Sequence, residues 1–310
     1  MRHRDSIPPS HWPGALLLAG SASLSVLAQA PTINKYSDIH LGAIVPGASS
    51  GTMILYCPGG GRSSSGGTSL GPSGGTLLGS LTLTGPAGDA WNLSAGSAVP
   101  FDLAGPGGTL HVTNLVIEPS SGAFPASGPT SFCYLGATIS VGASGTLPQG
   151  AYVGSFSLTA TNTTHGQSST QSFSVITQVD PVITLTQLTG LSFGDIYSAP
   201  TAGTVLLSPV GARSTTGGVT LGNQSPFGAA TFAVTGSANA TYSITLPTSA
   251  TLTGPASTLT VSTFASSPSG TGTLNGAGQQ QLNIGATLNL EAHQESGSYS
   301  GTFAVTVAYN

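Results

Sequence analysis

The sequence predicts an all-β protein: two tandem immunoglobulin-like antiparallel β-sandwiches behind a cleaved signal peptide. Three observations carry that prediction. Short alternating runs rich in Val, Ile, Thr, Phe and Tyr recur along the chain, and clusters of Gly, Pro, Asn and Ser separate them. No helical period interrupts them after the N-terminus. Finally, the chain matches itself in collinear order at a shift of about 150 residues, far longer than a solenoid repeat and therefore a domain duplication. Seven or eight two-faced strands in about 130 residues is the size of one such sandwich.

Residues 1–28 read as the signal peptide. Arg2 and Arg4 make a basic start, and Gly14 to Leu27 is an apolar run too short to span a bilayer. Cleavage is expected before Gln29, which predicts an exported protein with no integral membrane segment once the leader is gone. The whole chain has five basic and nine acidic residues, a charged fraction of 5%. So few Lys and Arg cannot form a phosphate-neutralising stripe, which excludes nucleic acid as a partner.

The first domain is expected over residues 31–165. Its landmarks return in the second half. Leu41-Gly42 faces Phe193-Gly194, Arg62 faces Arg213, and Trp91-Asn-Leu-Ser faces Tyr242-Ser-Ile-Thr. Leu135-Gly136-Ala137 faces Ile284-Gly285-Ala286, and Gly150-Ala-Tyr152-Val-Gly154 faces Gly297-Ser-Tyr299-Ser-Gly301. Arg62 and Arg213 are the clearly duplicated charges; their five donors suit tying down a loop by its carbonyls, with anion or sugar recognition as the alternative. Tyr152 and Tyr299, each at the head of a final strand, resemble a tyrosine corner. The two cysteines, Cys57 and Cys133, are in phase with Met53 and Leu55 and with Leu135 and Ile139. In an exported chain they are expected to pair across the core, adding about 4 kcal/mol in the chain-entropy model; buried free thiols are the alternative.

Residues 166–179 begin as a polar linker and become strand-like, with Phe173, Val175, Thr177 and Val179 in phase. The second domain, residues 180–310, has strand material ahead of its Phe193-Gly194 motif, whereas the first has only a few residues between the expected cleavage site and Leu41-Gly42. The expectation is that the first domain lacks a first strand, which Phe173–Val179 or another chain would complete. A complete sandwich with a shortened edge is the competing expectation.

The sequence assigns no catalytic, cofactor or metal residue. The six histidines are scattered. Glu291, His293 and Glu295 would share one face of a strand, but residues two apart on a strand are about 7 Å apart, so a solvated strand end is the expectation.

Leu191-Ser-Phe193-Gly194-Asp195-Ile196, Gly203-Thr204-Val205, Gly217-Gly218-Val219, Ala230-Thr-Phe232 and Tyr299-Ser-Gly301-Thr-Phe303-Ala-Val305-Thr-Val307, in that order, resemble the bacterial exported domain of unknown function 4402. The first half is similar to a degenerate copy, with Leu41 in place of the Phe. The pattern is more distantly similar to spore-coat-U-like subunits of chaperone–usher pili. The resemblance implies a bacterial protein of the periplasm, cell surface or exterior, and supplies no reaction.

The functional expectation is a non-enzymatic structural or adhesive surface protein, in its finer form a pilin-like subunit using β-strand complementation with itself or other surface proteins as partners. The alternative is a carbohydrate- or surface-ligand-binding module. An outer-membrane barrel is disfavoured by the lack of an aromatic girdle.

Overall fold

The computed structural model describes residues 29–72, 74–96, 99–126, 130–144 and 146–310. The expected signal peptide lies outside them. The described chain is all β.

The first half forms β1 (Thr32–Ser37), β2 (Ile39–Leu55), β3 (Arg62–Leu70), β4 (Thr76–Leu77), β5 (Gly79–Thr84) and β6 (Ala90–Ser94). It continues with β7 (Phe101–Ala104), β8 (Thr109–Glu118), β9 (Ser121–Ala123), β10 (Thr130–Val141), β11 (Gly150–Asn162) and β12 (Ser168–Val179). Pairing runs β1-β5-β10-β8-β7-β11-β12-β2-β3, and a β10–β2 contact closes the ring. The alternation read in the sequence is the cause. In β10, Cys133, Leu135, Ala137, Ile139 and Val141 are buried while Phe132 and Tyr134 point out, so one face enters the core. The inward residues of all the long strands join in a single cluster.

β12 decides whether this domain is complete. It pairs antiparallel with the whole of β11, from Thr161↔Ser168 to Gly150↔Val179. On its other edge it runs parallel to the start of β2, with Val175 opposite Ile39 and Val179 opposite Ile44. That parallel pair departs from the purely antiparallel expectation. Phe173, Val175 and Val179 sit in the core cluster, and the Thr177 hydroxyl donates to Gly42 O at 2.7 Å. One half of the expectation is corrected, since β1 is present and paired along β5; the other half stands, since Phe173–Val179 completes the domain as part of its last strand. The polar stretch from Ser168 is part of that strand because its Ser and Thr face out along the β11 edge.

The second half repeats the plan with β13 (Thr184–Thr189), β14 (Ile196–Tyr197), β15 (Gly203–Leu207), β16 (Arg213–Gly217), β17 (Thr220–Leu221) and β18 (Ala230–Thr235). Then come β19 (Thr241–Thr245), β20 (Ser249–Thr253), β21 (Thr258–Ser267), β22 (Thr271–Thr273), β23 (Gln279–Leu290) and β24 (Thr306–Tyr309). β13, β18, β23, β15 and β16 form a sheet, with β20 and β21 attached through β23. β22, β19 and β24 form a second sheet. The registers are those of the first domain. Asn162↔Trp91 is matched by Tyr309↔Tyr242, and Val153↔Ala104 by the isolated bridge Ser300↔Thr253. The two domains thus share one fold, strand for strand, except at the position of β12.

Duplicated glycines mark where backbones touch. A Cβ on Gly136 would meet Leu55 O at 2.5 Å, and one on Gly285 would meet Leu207 O closer still. Each lets a neighbouring strand leave the sheet across the outer face. Cys57 sits just there, after β2 has ended at Leu55, with its Cβ 2.8 Å from where a Gly136 Cβ would stand. Gly136 alternates with the inward Cys133, so Cys57 does not keep the phase of Met53 and Leu55. Both cysteines are free thiols in the structure, Cys133 buried and Cys57 half-buried.

Candidate functional site

The second domain carries a cleft of about 930 Å³ where the first carries β12. One wall is residues 191–196, the counterpart of the start of β2; the other is residues 297–303, the counterpart of β11. Leu252, Phe264 and Leu288 form part of the floor.

Both walls show the effect of the empty position. In the first domain Ile39–Ile44 is continuous strand, whereas Leu191–Asp195 contains a single bridge, Ser192↔Gly228. Residues 150–162 are strand throughout, whereas 301–305 have no ladder at all. A strand needs a partner along its edge to satisfy its N–H and C=O groups, and among the described residues no strand lies between these two walls. Burial follows the same line. Phe156, Leu158 and Ala160 are buried; their counterparts Phe303, Val305 and Val307 are only half-buried. Tyr152 is fully buried and Tyr299 is not. The core of this domain is consequently divided into two clusters bridged by the half-buried Leu191 and Phe264.

The walls are nevertheless held in place. Arg213 donates from Nη1 to Phe193 O at 2.7 Å and from Nη2 to Gly222 O at 2.9 Å, and its guanidinium lies 3.6 Å from the Phe227 ring centroid. Arg213 Nη1 also reaches Asp195 O at 3.5 Å, and Arg62 Nη1 makes the bonds that match the Phe193 and Asp195 pair, to Leu41 O and Ala43 O, each at 3.2 Å. The glycine that follows Leu41 or Phe193 belongs to this device. Gly42 and Gly194 have φ of 74° and 71°, and a Cβ on Gly194 would stand 2.9 Å from Arg213 Nη1. Only a residue tolerant of positive φ and lacking a side chain fits under the guanidinium. On the opposite wall the Tyr299 hydroxyl donates to Glu295 O at 2.8 Å, as that of Tyr152 donates to Pro148 O at 2.9 Å. The site residues singled out in the sequence therefore separate. Tyr299 stands on a wall of the cleft and Arg213 holds the other wall through Phe193 O, Arg62 and Tyr152 occupy the matching places in the filled domain, and Cys57 and Cys133 lie away from it.

Two features escaped the sequence reading. The cleft itself is one. The other is an exposed aromatic pair on the first domain, Tyr36 and Phe132, 66% and 61% exposed, with ring centroids 6.3 Å apart and planes within 16°. Phe132 and Tyr134 stand in the outward phase of β10, which was readable from the inward phase of Cys133. Trp91, by contrast, is buried against Phe124. The Glu291, His293 and Glu295 segment is exposed and lies beyond the end of β23 rather than on it, with His293 at φ 55°. No group of three metal-ligating side chains occurs among the described residues. No helix among them is long and apolar enough to cross a membrane.

A family model described as a domain of unknown function, number 4402, matches residues 32–161 and again 183–309. No curated protein matches the chain. Solved structures with detectable likeness include a chaperone–tip adhesin complex of CFA/I fimbriae biogenesis. It is 10% identical, covers 90% of this chain and 84% of that one, and has a TM-score of 0.24. A chaperone–tip adhesion subunit pre-assembly complex from the archaic chaperone–usher Csu pili of Acinetobacter baumannii is 12% identical. It covers 90% and 99% of the two chains at a TM-score of 0.24. The YadV chaperone is 9% identical, with 91% and 100% covered and a TM-score of 0.20.

Proposed function

The chain belongs to the family of domains of unknown function numbered 4402, in two copies, and from that premise we propose an exported, non-enzymatic structural subunit whose second domain is completed by a strand from a partner. The observation that supports it is the contrast between two copies of one fold: β12 fills the space between β2 and β11 in the first, and the same space is a cleft in the second. Strand addition is the interaction that such a space accepts. Main-chain bonds along both walls supply affinity, and alternate side chains entering the floor supply specificity. On this reading the first domain runs through Val179 rather than ending near residue 165, and the expected linker and strand of residues 166–179 supply its completing strand. The duplicated charges and tyrosines, Arg62, Arg213, Tyr152 and Tyr299, are scaffold for that space. The setting is the periplasm or the cell surface, where such subunits join.

The test is complementation in cis. Appending a second copy of residues 164–179 after Asn310, which stands at the place of Thr163, reproduces in the second domain the connection that follows Asn162 in the first. If the reading holds, the second domain gains stability and the protein loses its native assembly, seen as SDS-resistant species in unheated gels and as particles by electron microscopy. Unchanged stability and unchanged assembly would refute it.

One observation favours the carbohydrate-binding alternative as a second activity of the first domain. The Tyr36–Phe132 pair offers flat, exposed ring faces on a rigid sheet. Glycan binding that Tyr36→Ala and Phe132→Ala both abolish would establish it; no binding across a glycan array would remove it.

A further inference from the structure

We infer that the occupant of the second-domain groove is an extended segment of another polypeptide, uncharged along its body, bulky and apolar opposite Phe303, branched and apolar opposite Gly301 and Gly297, and ending in a basic residue beside Asp195 and Glu295. The inference rests on the strand-acceptor reading above and adds direction, register and chemistry to it.

The direction comes from the internal template. β12 is antiparallel to β11 and parallel to the start of β2, so the occupant runs antiparallel to residues 297–309 and parallel to 191–196. Register follows from the same pairs. Phe173 lies opposite Phe156, Val175 opposite Gly154 and Ile39, Thr177 opposite Tyr152, and Val179 opposite Gly150. Their second-domain counterparts are Phe303, Gly301 with Leu191, Tyr299, and Gly297. A strand presents alternate residues to one face. Four alternate positions of the occupant therefore enter the groove, and the one beside Tyr299 suits a small hydroxyl residue like Thr177.

The chemistry comes from where the two domains differ. β12 is locked by charge: Asp38 accepts from Ser174 N at 2.6 Å, pairs with Lys35 at 2.6 Å, and Lys35 Nζ lies 5.1 Å from the Phe173 ring centroid. In the second domain the β13–β18 register puts Gln187 where the first has Lys35, and Gly190 stands at the place of Asp38. The body of the groove therefore offers the occupant no charge. Its far end does. Asp195 and Glu295 both line the cleft where the C-terminal end of the occupant arrives, in place of Ala43 and Pro148. In the first domain Val179 is followed by Asp180; an acid there would face two carboxylates in the second domain, and a Lys or Arg would be attracted to them.

The experiment uses residues 29–310 and three labelled peptides: Ser168–Val179 with an appended lysine, the same with an appended aspartate, and a version with inward and outward residues exchanged. Binding is read by fluorescence anisotropy and by thermal unfolding of the second domain. The lysine peptide should bind one to one and raise the unfolding temperature. The aspartate peptide should bind about tenfold more weakly at low ionic strength, the difference closing at high salt. The exchanged peptide should not bind. Equal binding of all three overturns the inference while leaving a strand acceptor in place. So does failure of all three when the cis-appended variant is stabilised. Failure of all three without cis stabilisation overturns the acceptor reading itself. Binding to residues 29–310 but not to a chain that keeps residues 1–28 would show that the occupant is the chain's own N-terminus, and would overturn its assignment to another polypeptide.

Discussion

Phe173 stacks on Phe156 with ring centroids 6.0 Å apart, and Phe303, in Phe156's place in the second domain, meets no counterpart of Phe173 among the described residues. It turns to Phe264 instead, at 4.9 Å, and stays half-buried. The difference converts directly into stability. Phe173→Ala removes a fully buried ring and should cost the first domain about 3–5 kcal/mol, with no effect on the second. Phe303→Ala should cost less, because that ring retains water contact in the unoccupied groove. Two-step thermal or denaturant unfolding, with each step assigned by the variant that shifts it, checks both. Equal losses at the two positions would contradict the asymmetry.

Acid should loosen the first domain by a route that the second lacks. Burial raises the Asp38 carboxyl, but its bonds from Lys35 and Ser174 N outweigh that and hold it below the usual carboxylate value. A depressed folded pKa contributes stability that is present above the unfolded value of 3.8 and is lost as pH falls through the folded one. Titrating from pH 5 downward should release β12 first, and Asp38→Asn should abolish that dependence while lowering stability at neutral pH. Hydrogen exchange along Ser168–Val179 is the direct measurement. Loss of protection there with an identical pH profile in the variant would assign the effect elsewhere.

The arginine clamp predicts a coupling between stability and binding. Arg213 bonds three carbonyls and stacks on Phe227, a planar arrangement that an ammonium cannot reproduce. Arg213→Lys should cost about 1–3 kcal/mol in the second domain and weaken peptide capture more than that loss alone explains, because residues 191–196 would no longer be fixed as a wall. Arg62→Lys should destabilise the first domain only. If Arg213→Lys leaves peptide affinity intact, the wall does not need the clamp.

Much of the scaffold was legible in the sequence. Period-2 alternation placed Cys133 and Leu135 in the core, and the shift of about 150 residues gave the duplication. What misled was the accounting of strands between the copies. Phe173–Val179 was recognisably strand-like, but its partner was not, because a strand's sequence states which face is apolar and not which edge it joins. The polar start of that segment, residues 166–171, reads as linker because the outward face of its serines and threonines is as polar as a loop. The vacancy was therefore sought ahead of Leu41 instead of beside Tyr299. The phase of Cys57 differs from its reading for a related reason. In-phase spacing from Met53 to Cys57 presumes that β2 continues, and β2 ends at Leu55.

Those two thiols should differ sharply in reactivity. Burial, with Cys57 and Glu118 adding to it, pushes the Cys133 thiol up to about 12, whereas Cys57, also raised by burial, is half exposed to solvent. The thiolate is the reactive form, so iodoacetamide at pH 8 should label Cys57 in the reduced folded protein and reach Cys133 only after unfolding. Labelling at both sites with one rate would contradict the burial of Cys133. The same shift sets an alkaline limit. A thiol whose folded pKa lies above its unfolded value of 9.0 contributes stability that is complete below that value and is lost as pH rises toward 12. Cys133→Ala should remove that slope between pH 9 and 12 while lowering stability at pH 7. Oxidation would rewrite both results. If air-oxidised protein shows no free thiol even in denaturant, Cys57 and Cys133 have joined, and because Cys57 now lies over the outer face at Gly136, the chain between Leu55 and Pro58 must have moved to bring it inward.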